Sequence, residues 1–271
     1  MKQEYRDLIL QQCGAKRGYG QIVKVHLDGC PFRWLHWYQN YSTNDGCRMP
    51  ACLAACSYGD KQLIVLEDLD VVGFNQRRTS VRDAEMRACI SWLAHFHGLF
   101  LGVVPEGLWP VGTYWHLETR PDELDAMDDS QLKAAAGEID RILNECRFKT
   151  IVHGDAKLAN FCFSGSGQGV AAVDFQYVGG GCGMMDVVYL MEEIEENQLE
   201  KKVPSLLDYF FTELRASVTK QVDFAALEKE WREMFAWTDF HRFLLGWMPG
   251  HQKINRYTKQ LTKEMLRKLK R

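Results

Sequence analysis

Two short apolar segments in the second half of the chain each end in an aspartate. The first, "IVHGD", runs from Ile151 to Asp155, and the second, "VAAVDF", places Asp174 directly after an apolar run. Both have the length and composition of buried strands, and the turn-forming stretch "SGSGQG" lies between them. We expect strands at 149–152 and 169–173 that pair as an antiparallel hairpin, which would bring both aspartates to one mouth.

Asn160 follows Asp155 by five residues, and this spacing suggests a division of roles. Carboxylate and amide oxygens suit Mg²⁺, a hard cation that also binds water and phosphate. If Asn160 and Asp174 hold the metal, Asp155 is left to orient and deprotonate an acceptor, and Lys157 is placed to reach a transferred phosphoryl group. Phosphoryl transfer needs such a division, because its loose transition state depends on positioning and charge neutralisation.

Three neighbouring features have simpler interpretations. His153 is favoured as a group that holds the loop, with a role as catalytic acid as the alternative. Asp186 precedes an apolar helical run, so an N-cap or loop-bracing role is favoured over a ligand role. The glycines at 179–181 supply backbone freedom, and they lack the strand-to-helix context of a phosphate-binding loop.

The motif "HGDAKLAN" followed by "VDFQ" resembles the catalytic pair of the aminoglycoside phosphotransferase and choline kinase superfamily, the small-molecule relatives of protein kinases. The stretches "VAAVDFQYVGGGCGMMDVVYL" and "FHRFLLGWMPGHQKI" are more closely similar to its ecdysteroid-kinase-like, choline-kinase-like branch. The resemblance implies a bilobal protein-kinase-like fold with ATP and Mg²⁺ as cofactors. It also implies that Asp155 is the catalytic base and that Asn160 and Asp174 bind Mg²⁺.

The same resemblance implies that "VLEDLD" is the hinge strand between two lobes. Adenine would then bind the backbone around Glu67, Asp68 and Leu69. The sequence changes character near this point, since residues 1–70 are turn-rich and strand-like and residues 71–271 carry the helical patterns. We therefore predict an α+β fold with a small strand-rich N-terminal lobe and a larger, helical C-terminal lobe.

Apolar spacing predicts three helical stretches in the C-terminal lobe. One follows Ser80, a possible N-cap with Asp83 three residues on. A second covers 122–146, and the stretch from Leu206 to Trp247 is mostly helical.

The N-terminal lobe departs from the pattern that the resemblance implies. Gly18 and Gly20 in "KRGYGQIVKV" are the candidate glycine-bearing turn over the phosphates. The strand lysine and the helix glutamate of kinase-like lobes have no obvious counterparts, and the glutamate position falls near Trp34. Lys24 is a possible substitute, on a strand before the expected one. Either the lobe is shortened or a segment is missing from the sequence, and a degenerate protein that binds nucleotide or a small ligand without turnover is the alternative function.

The acceptor is predicted to be a small molecule. Only 11 residues separate Asp174 from Asp186, too few for the activation segment of a protein kinase. Aromatic residues with an acid among them could receive a cationic or polycyclic acceptor, although helix packing explains any single ring at least as well. The residues predicted to contact the acceptor are Trp115, Trp237, Asp239 and Trp247.

Composition limits the other partners. A formal net charge of -3 gives no global attraction to nucleic acid, and no apolar run is long enough for stable membrane insertion. The first residues do not resemble a secretory signal, so we expect a cytoplasmic protein. Nine cysteines without a C-x-x-C pair argue against a disulfide framework and a structural zinc site. The basic C-terminal helix is expected to have a solvated basic face, and the oligomeric state cannot be predicted.

Overall fold

The structure is a computed structural model that describes residues 21–26, 33–42, 46–58 and 61–270. The predicted α+β fold class is confirmed. Within the described residues, a small sheet and one helix precede a larger helical lobe, in which two short pairs of strands are seen. Gly18 and Gly20 lie outside the described residues, and the lobe boundary at residue 70 stays a prediction.

The strands, in chain order, are β1 (Gln21–His26), β2 (Cys52–Tyr58), β3 (Lys61–Glu67), β4 (Thr150–Val152), β5 (Phe161–Phe163), β6 (Val170–Ala172) and β7 (Gly179–Gly181). The helices are α1 (Arg33–Asn40), α2 (Asp83–Leu99), α3 (Pro121–Ala126), α4 (Ser130–Asn144), α5 (Met184–Met191), α6 (Glu196–Ser217), α7 (Phe224–Glu233), α8 (Ala236–Trp247) and α9 (Arg256–Leu269).

The N-terminal sheet has the order β1-β3-β2, with both pairs antiparallel. The apolar run of β3 is central and buried, as a strand with neighbours on both sides requires. The backbone of Lys24 lies opposite Ile64 of β3. The sequence suggests that Lys24 precedes the lysine-bearing strand, whereas the structure pairs its backbone directly with the predicted hinge strand.

Helix α1 packs its apolar face against the rest of the protein. Trp34, Trp37 and Tyr38 recur at helical spacing and are buried. No residue of "RWLHWYQN" is acidic. Trp34, near which the glutamate is expected, is therefore a packing residue of a helix without an acid.

The predicted hairpin between 149–152 and 169–173 is wrong. β4 pairs with β7, and β6 pairs with β5. Strand β5 has only three residues, too few for a sequence pattern to identify it. The turn "SGSGQG" therefore closes the β5-β6 hairpin. Glycine is required in β7, because a Cβ on Gly179 would clash with the backbone of Trp109.

The helical predictions are confirmed in outline and corrected at their ends. α2 has Arg82 as its N-cap in place of Ser80, because the Glu85 carboxylate accepts a hydrogen bond from the Arg82 N–H at 3.1 Å. The stretch 122–146 is two helices, since Asp129 caps a new helix by accepting from the Leu132 N–H at 2.9 Å.

The stretch from Leu206 to Trp247 contains the second half of α6 and all of α7 and α8. One continuous apolar core joins these helices to α2, α5 and the buried face of α1. Within the part of the chain that the structure describes, no helix has the length and apolarity needed to cross a bilayer.

Candidate active site

Strand β4 leads into a tight loop, residues 153–160, that carries the candidate base Asp155 and is called the catalytic loop below. The Lys157 N–H donates to the Asp155 carbonyl at 2.8 Å, and the Asn160 N–H donates to the Lys157 carbonyl at 2.9 Å. The second of these bonds closes a single 3₁₀ turn, Leu158–Asn160. The loop therefore returns Asn160 to the side of Asp155, which explains why the five-residue spacing matters.

The Asp155 carboxylate is held by its own loop. Lys157 Nζ lies 2.7 Å from Asp155 Oδ2, and Asn160 Nδ2 lies 3.0 Å from the same oxygen and 2.7 Å from the Asp155 carbonyl. Because the amide nitrogen of Asn160 faces two acceptors, its amide oxygen points away from Asp155. That oxygen is the one acceptor of the Asn160 side chain that Asp155 leaves unused.

The other carboxylate oxygen of Asp155, Oδ1, has different surroundings. Asp155 is only 2% exposed, and its Oδ1 is buried without a hydrogen bond among the described residues. Burial raises the pKa of the Asp155 carboxyl above its ordinary value, while Lys157 offsets part of the rise. A buried, unpaired carboxylate oxygen with a raised pKa suits a general base.

Asp174 is linked to the catalytic loop through its neighbour Val173. The Val173 N–H donates to the Asn160 carbonyl at 2.9 Å, so Asp174 lies next in sequence to a residue bonded to Asn160. Asp174 has a φ of 71°, a left-handed conformation that Asp tolerates better than most residues. Thr113, beside the catalytic loop, is the other non-glycine residue of the described chain with positive φ, and such conformations cluster at functional sites.

His153 holds the loop, as the sequence suggests. It is fully buried, its Nδ1 accepts from the Asp155 N–H at 3.3 Å, and its Nε2 donates to the Val173 carbonyl at 2.9 Å. Both ring nitrogens are therefore engaged by backbone groups. His153 therefore joins the catalytic loop to Val173. These hydrogen bonds give no support to a role in proton transfer to a ligand.

Asp186 stabilises the catalytic loop by accepting hydrogen bonds from its backbone. Its carboxylate accepts from the backbone N–H of His153 at 2.7 Å and of Gly154 at 2.9 Å. His97 Nε2 of α2 donates to it at 3.0 Å. The loop-bracing role favoured for Asp186 is confirmed.

The predicted hinge and Asp174 border one cavity. A space of about 140 Å³ is lined by Glu67 and Leu69 on one side and by Asp174 on the other. The Glu67 side chain is already engaged, because it pairs with Arg48 at 2.7 Å and accepts from the Ala51 N–H. Asp68 is not among the lining residues, and its carboxylate accepts from the Asp70 N–H at 2.9 Å.

The four residues predicted to contact an acceptor have different surroundings. Trp115 and Asp239 are buried and bonded to each other, Nε1 to Oδ2 at 3.2 Å, and Asp239 also pairs with buried Arg242 at 2.9 Å. These contacts give both a packing role. Trp237 is partly buried against Tyr257, whereas Trp247 is 49% exposed.

A sequence model of the "Phosphotransferase enzyme family" matches residues 32–234, most of the chain. The chain belongs to this phosphotransferase family. A search of curated proteins found no match.

Several solved structures share the fold of this chain. The amicoumacin kinase hAmiN, in complex with AMP-PNP, Ca²⁺ and Ami, has a TM-score of 0.58 at 13% identity, with 93% of this chain and 82% of that chain covered. A Plasmodium vivax ethanolamine kinase has a TM-score of 0.55 at 10% identity, with coverages of 93% and 72%. The aminoglycoside phosphotransferase APH(4)-Ia has a TM-score of 0.51 at 11% identity, with 98% of each chain covered. At these identities the similarity shows the fold alone.

Two tyrosines near Asp155, the candidate general base, were not predicted from the sequence. The Tyr114 N–H donates to the Gly154 carbonyl at 3.1 Å. Burial raises the pKa of Tyr114 to about 12 and also raises that of Tyr189, and the charge of Asp155 adds to both shifts. Tyr189 lies three residues after Asp186 on α5, a spacing that could have indicated it, but no local pattern marks Tyr114.

We expect Asp186→Asn to destabilise the protein without removing a reacting group. An amide can accept from only one of the two backbone N–H groups with its oxygen, and its nitrogen would face the other donor. The expected loss is about 2–3 kcal/mol, or about 4–10 °C in melting temperature for a protein of this size. Thermal unfolding followed by circular dichroism measures it.

Asp83→Asn is the matched control for Asp186→Asn, because Asp83 also lies in the first turn of a helix, and its carboxylate pairs with Lys202 at 2.6 Å. Asp83 is exposed, so the melting temperature of the Asp83→Asn variant should stay near that of the unmodified protein. Equal melting temperatures for both variants would contradict the bracing role.

Proposed function

We propose that the chain is an ATP- and Mg²⁺-dependent phosphotransferase that moves the γ-phosphate to a hydroxyl of a small molecule. The observation that carries the proposal is the buried Oδ1 of Asp155, which has no hydrogen-bond partner among the described residues, while Asn160 donates to the other oxygen of the same carboxylate. In this proposal Asp155 accepts the hydroxyl proton of the acceptor. Lys157, which is 39% exposed, is near enough to contact the transferred phosphoryl group.

Mg²⁺ is proposed to bind Asn160 and Asp174. The amide oxygen of Asn160 and the carboxylate of Asp174, whose neighbour Val173 is bonded to the Asn160 carbonyl, would form an oxygen-only donor set. Mg²⁺ commonly takes one or two protein carboxylates together with phosphate and water. When bound, the metal would neutralise charge on the phosphates. The donor chemistry of these two residues fits that ion.

ATP is proposed to bind the cavity between the hinge and Asp174. Backbone groups around Glu67, Asp68 and Leu69 would meet adenine, as the family resemblance implies. The position of Lys24 beside the hinge strand supports a role for it in phosphate binding.

The acceptor is proposed to approach Asp155 along a row of aromatic rings. Tyr114 lies 5.3 Å from Phe243 between ring centroids, and Phe243 stacks on the exposed Trp247 at 5.7 Å. Asp239 is committed to Arg242, so it is not free to bind an amine. These contacts favour a polycyclic acceptor over a cationic one.

A second function is favoured by one observation. Helix α1 carries no acid, so the lysine-glutamate pair that orients nucleotide in kinases is not formed through this helix. A protein that binds nucleotide or a small ligand without turnover is therefore the alternative.

Two measurements on the full chain separate these functions. We expect ATP with Mg²⁺ to raise the melting temperature more than ATP or Mg²⁺ alone, because ligands of the folded state stabilise it. A radiolabelled γ-phosphate screen over polycyclic alcohols, amino alcohols and aminoglycosides then tests turnover. A shift without transfer supports the non-enzymatic alternative, and no shift at all argues against both.

A further inference from the structure

Helix α1 lacks the acid of a kinase-like helix, but it makes close contacts with the metal-binding segment. Trp37 is fully buried and Tyr38 is 4% exposed. The indole Nε1 of Trp37 has no hydrogen-bond partner among the described residues. Trp37 is therefore held by ring contacts.

The main ring contact of Trp37 is with Phe175, the residue that follows Asp174. Their ring centroids are 4.9 Å apart and their planes differ by 17°, an offset stack. Tyr38 meets the same phenyl ring edge-on at 6.2 Å. Phe175 is fully buried, so it cannot turn away without opening the core.

The catalytic loop holds the other side of this segment. The His153 ring lies 4.6 Å from the Phe175 ring. His153 Nε2 also donates to the Val173 carbonyl at 2.9 Å, and the Val173 N–H donates to the Asn160 carbonyl at 2.9 Å. Asp174 therefore stands between two residues that are each fixed from outside the segment.

The contacts of Val173 and Phe175 restrain the backbone of Asp174, which lies between them. Its φ of 71° is a sparsely populated conformation for a residue with a Cβ, and it persists only where the surroundings determine it. Release of Phe175 would let the backbone relax, and the Asp174 carboxylate would turn with it. The rings that restrain Phe175, and through it Asp174, come from α1 and, at longer centroid distances of 6.1 and 6.3 Å, from Phe96 and Trp92 of α2.

We propose that Trp37 is a positioning residue for Asp174. By stacking on Phe175, it keeps the aspartate in the left-handed conformation that aims its carboxylate at Mg²⁺. Helix α1 thus serves the metal side of the site, where the helix of a kinase-like lobe would orient a lysine through a glutamate. The metal part of this inference rests on the proposed function.

The test uses Trp37→Leu, Phe175→Leu and the double variant of the full chain. The readout is the Mg²⁺ concentration that gives half of the maximal thermal shift in saturating ATP. We expect each single variant to raise it about tenfold, equivalent to about 1.4 kcal/mol. The double variant should resemble a single one, because residues that act through one contact are not additive. Trp37→Phe keeps a ring and should restore most of the affinity.

Phe211→Leu is the matched control. Phe211 is 2% exposed, lies on α6 and contacts Phe210 and Arg232. Its loss should lower the melting temperature without changing the Mg²⁺ midpoint. An equal midpoint for Trp37→Leu and Phe211→Leu, or strictly additive effects in the double variant, would overturn the proposal.

A second measurement needs no nucleotide. Amide hydrogen exchange of peptides that cover 173–176 should be faster in Trp37→Leu than in Phe211→Leu, because only the first variant releases Phe175. Equal protection of this segment in both variants would overturn the proposal. If the unmodified protein shows no Mg²⁺-dependent shift, the proposed function fails, and the exchange result still decides whether Trp37 holds Asp174.

Discussion

Asp155→Asn is expected to lower acceptor-dependent phosphate transfer by about 10²–10⁴-fold, the contribution of a general base. Asn has nearly the same shape, so the hydrogen bond from Asn160 Nδ2 can be kept by its amide oxygen. It has no second carboxylate oxygen at the buried, unpartnered Oδ1 position. Initial rates at saturating Mg-ATP, with an acceptor found by the screen, measure the loss.

The same variant should still bind nucleotide. Asn160 and Asp174, the proposed Mg²⁺ ligands, are unchanged, so the thermal shift with Mg-ATP should remain. Asp208→Asn is the control, because Asp208 is exposed and its partner is Arg232 on α7. Transfer at the unmodified rate by Asp155→Asn would remove Asp155 from the role of base.

The catalytic loop was predictable because its geometry is local. Asp155, Lys157 and Asn160 lie within six residues, and one 3₁₀ turn brings them together. The sequence also predicts that Asp174 lies close to this loop, but it attributes their proximity to a hairpin of the two strands. The two strands do not pair, and the contact is made through Val173 and Asn160.

Contacts between distant segments were beyond the reach of the sequence. The stack of Trp37 on Phe175 joins residues far apart in the chain, and an aromatic helix face alone predicts burial without a partner. The hydrogen bond between Trp115 and Asp239 joins residues 124 apart, so the sequence does not show that Asp239 is buried, although its pairing with Arg242 three residues on follows helical spacing. Such pairings are set by tertiary packing, which periodicity does not encode.

Asp174→Asn is expected to reduce transfer by about 10²–10³-fold, the cost of removing one electrostatic group from a phosphoryl-transfer site. Asn is the informative replacement because it tolerates positive φ about as well as Asp, so the backbone conformation at φ 71° can persist. Asp174→Ala would combine loss of the ligand with backbone strain. The measured change can then be attributed to the carboxylate charge.

The two asparagine variants should differ in their response to Mg²⁺. Asp155→Asn should keep the gain in melting temperature that Mg²⁺ adds to ATP, whereas Asp174→Asn should lose most of it, since a proposed metal ligand is weakened. Titration of Mg²⁺ at fixed ATP measures both. If Asp174→Asn keeps the unmodified Mg²⁺ midpoint, Asp174 is not a ligand, and the restraint that Phe175 and Val173 place on its backbone would then serve some purpose other than metal binding.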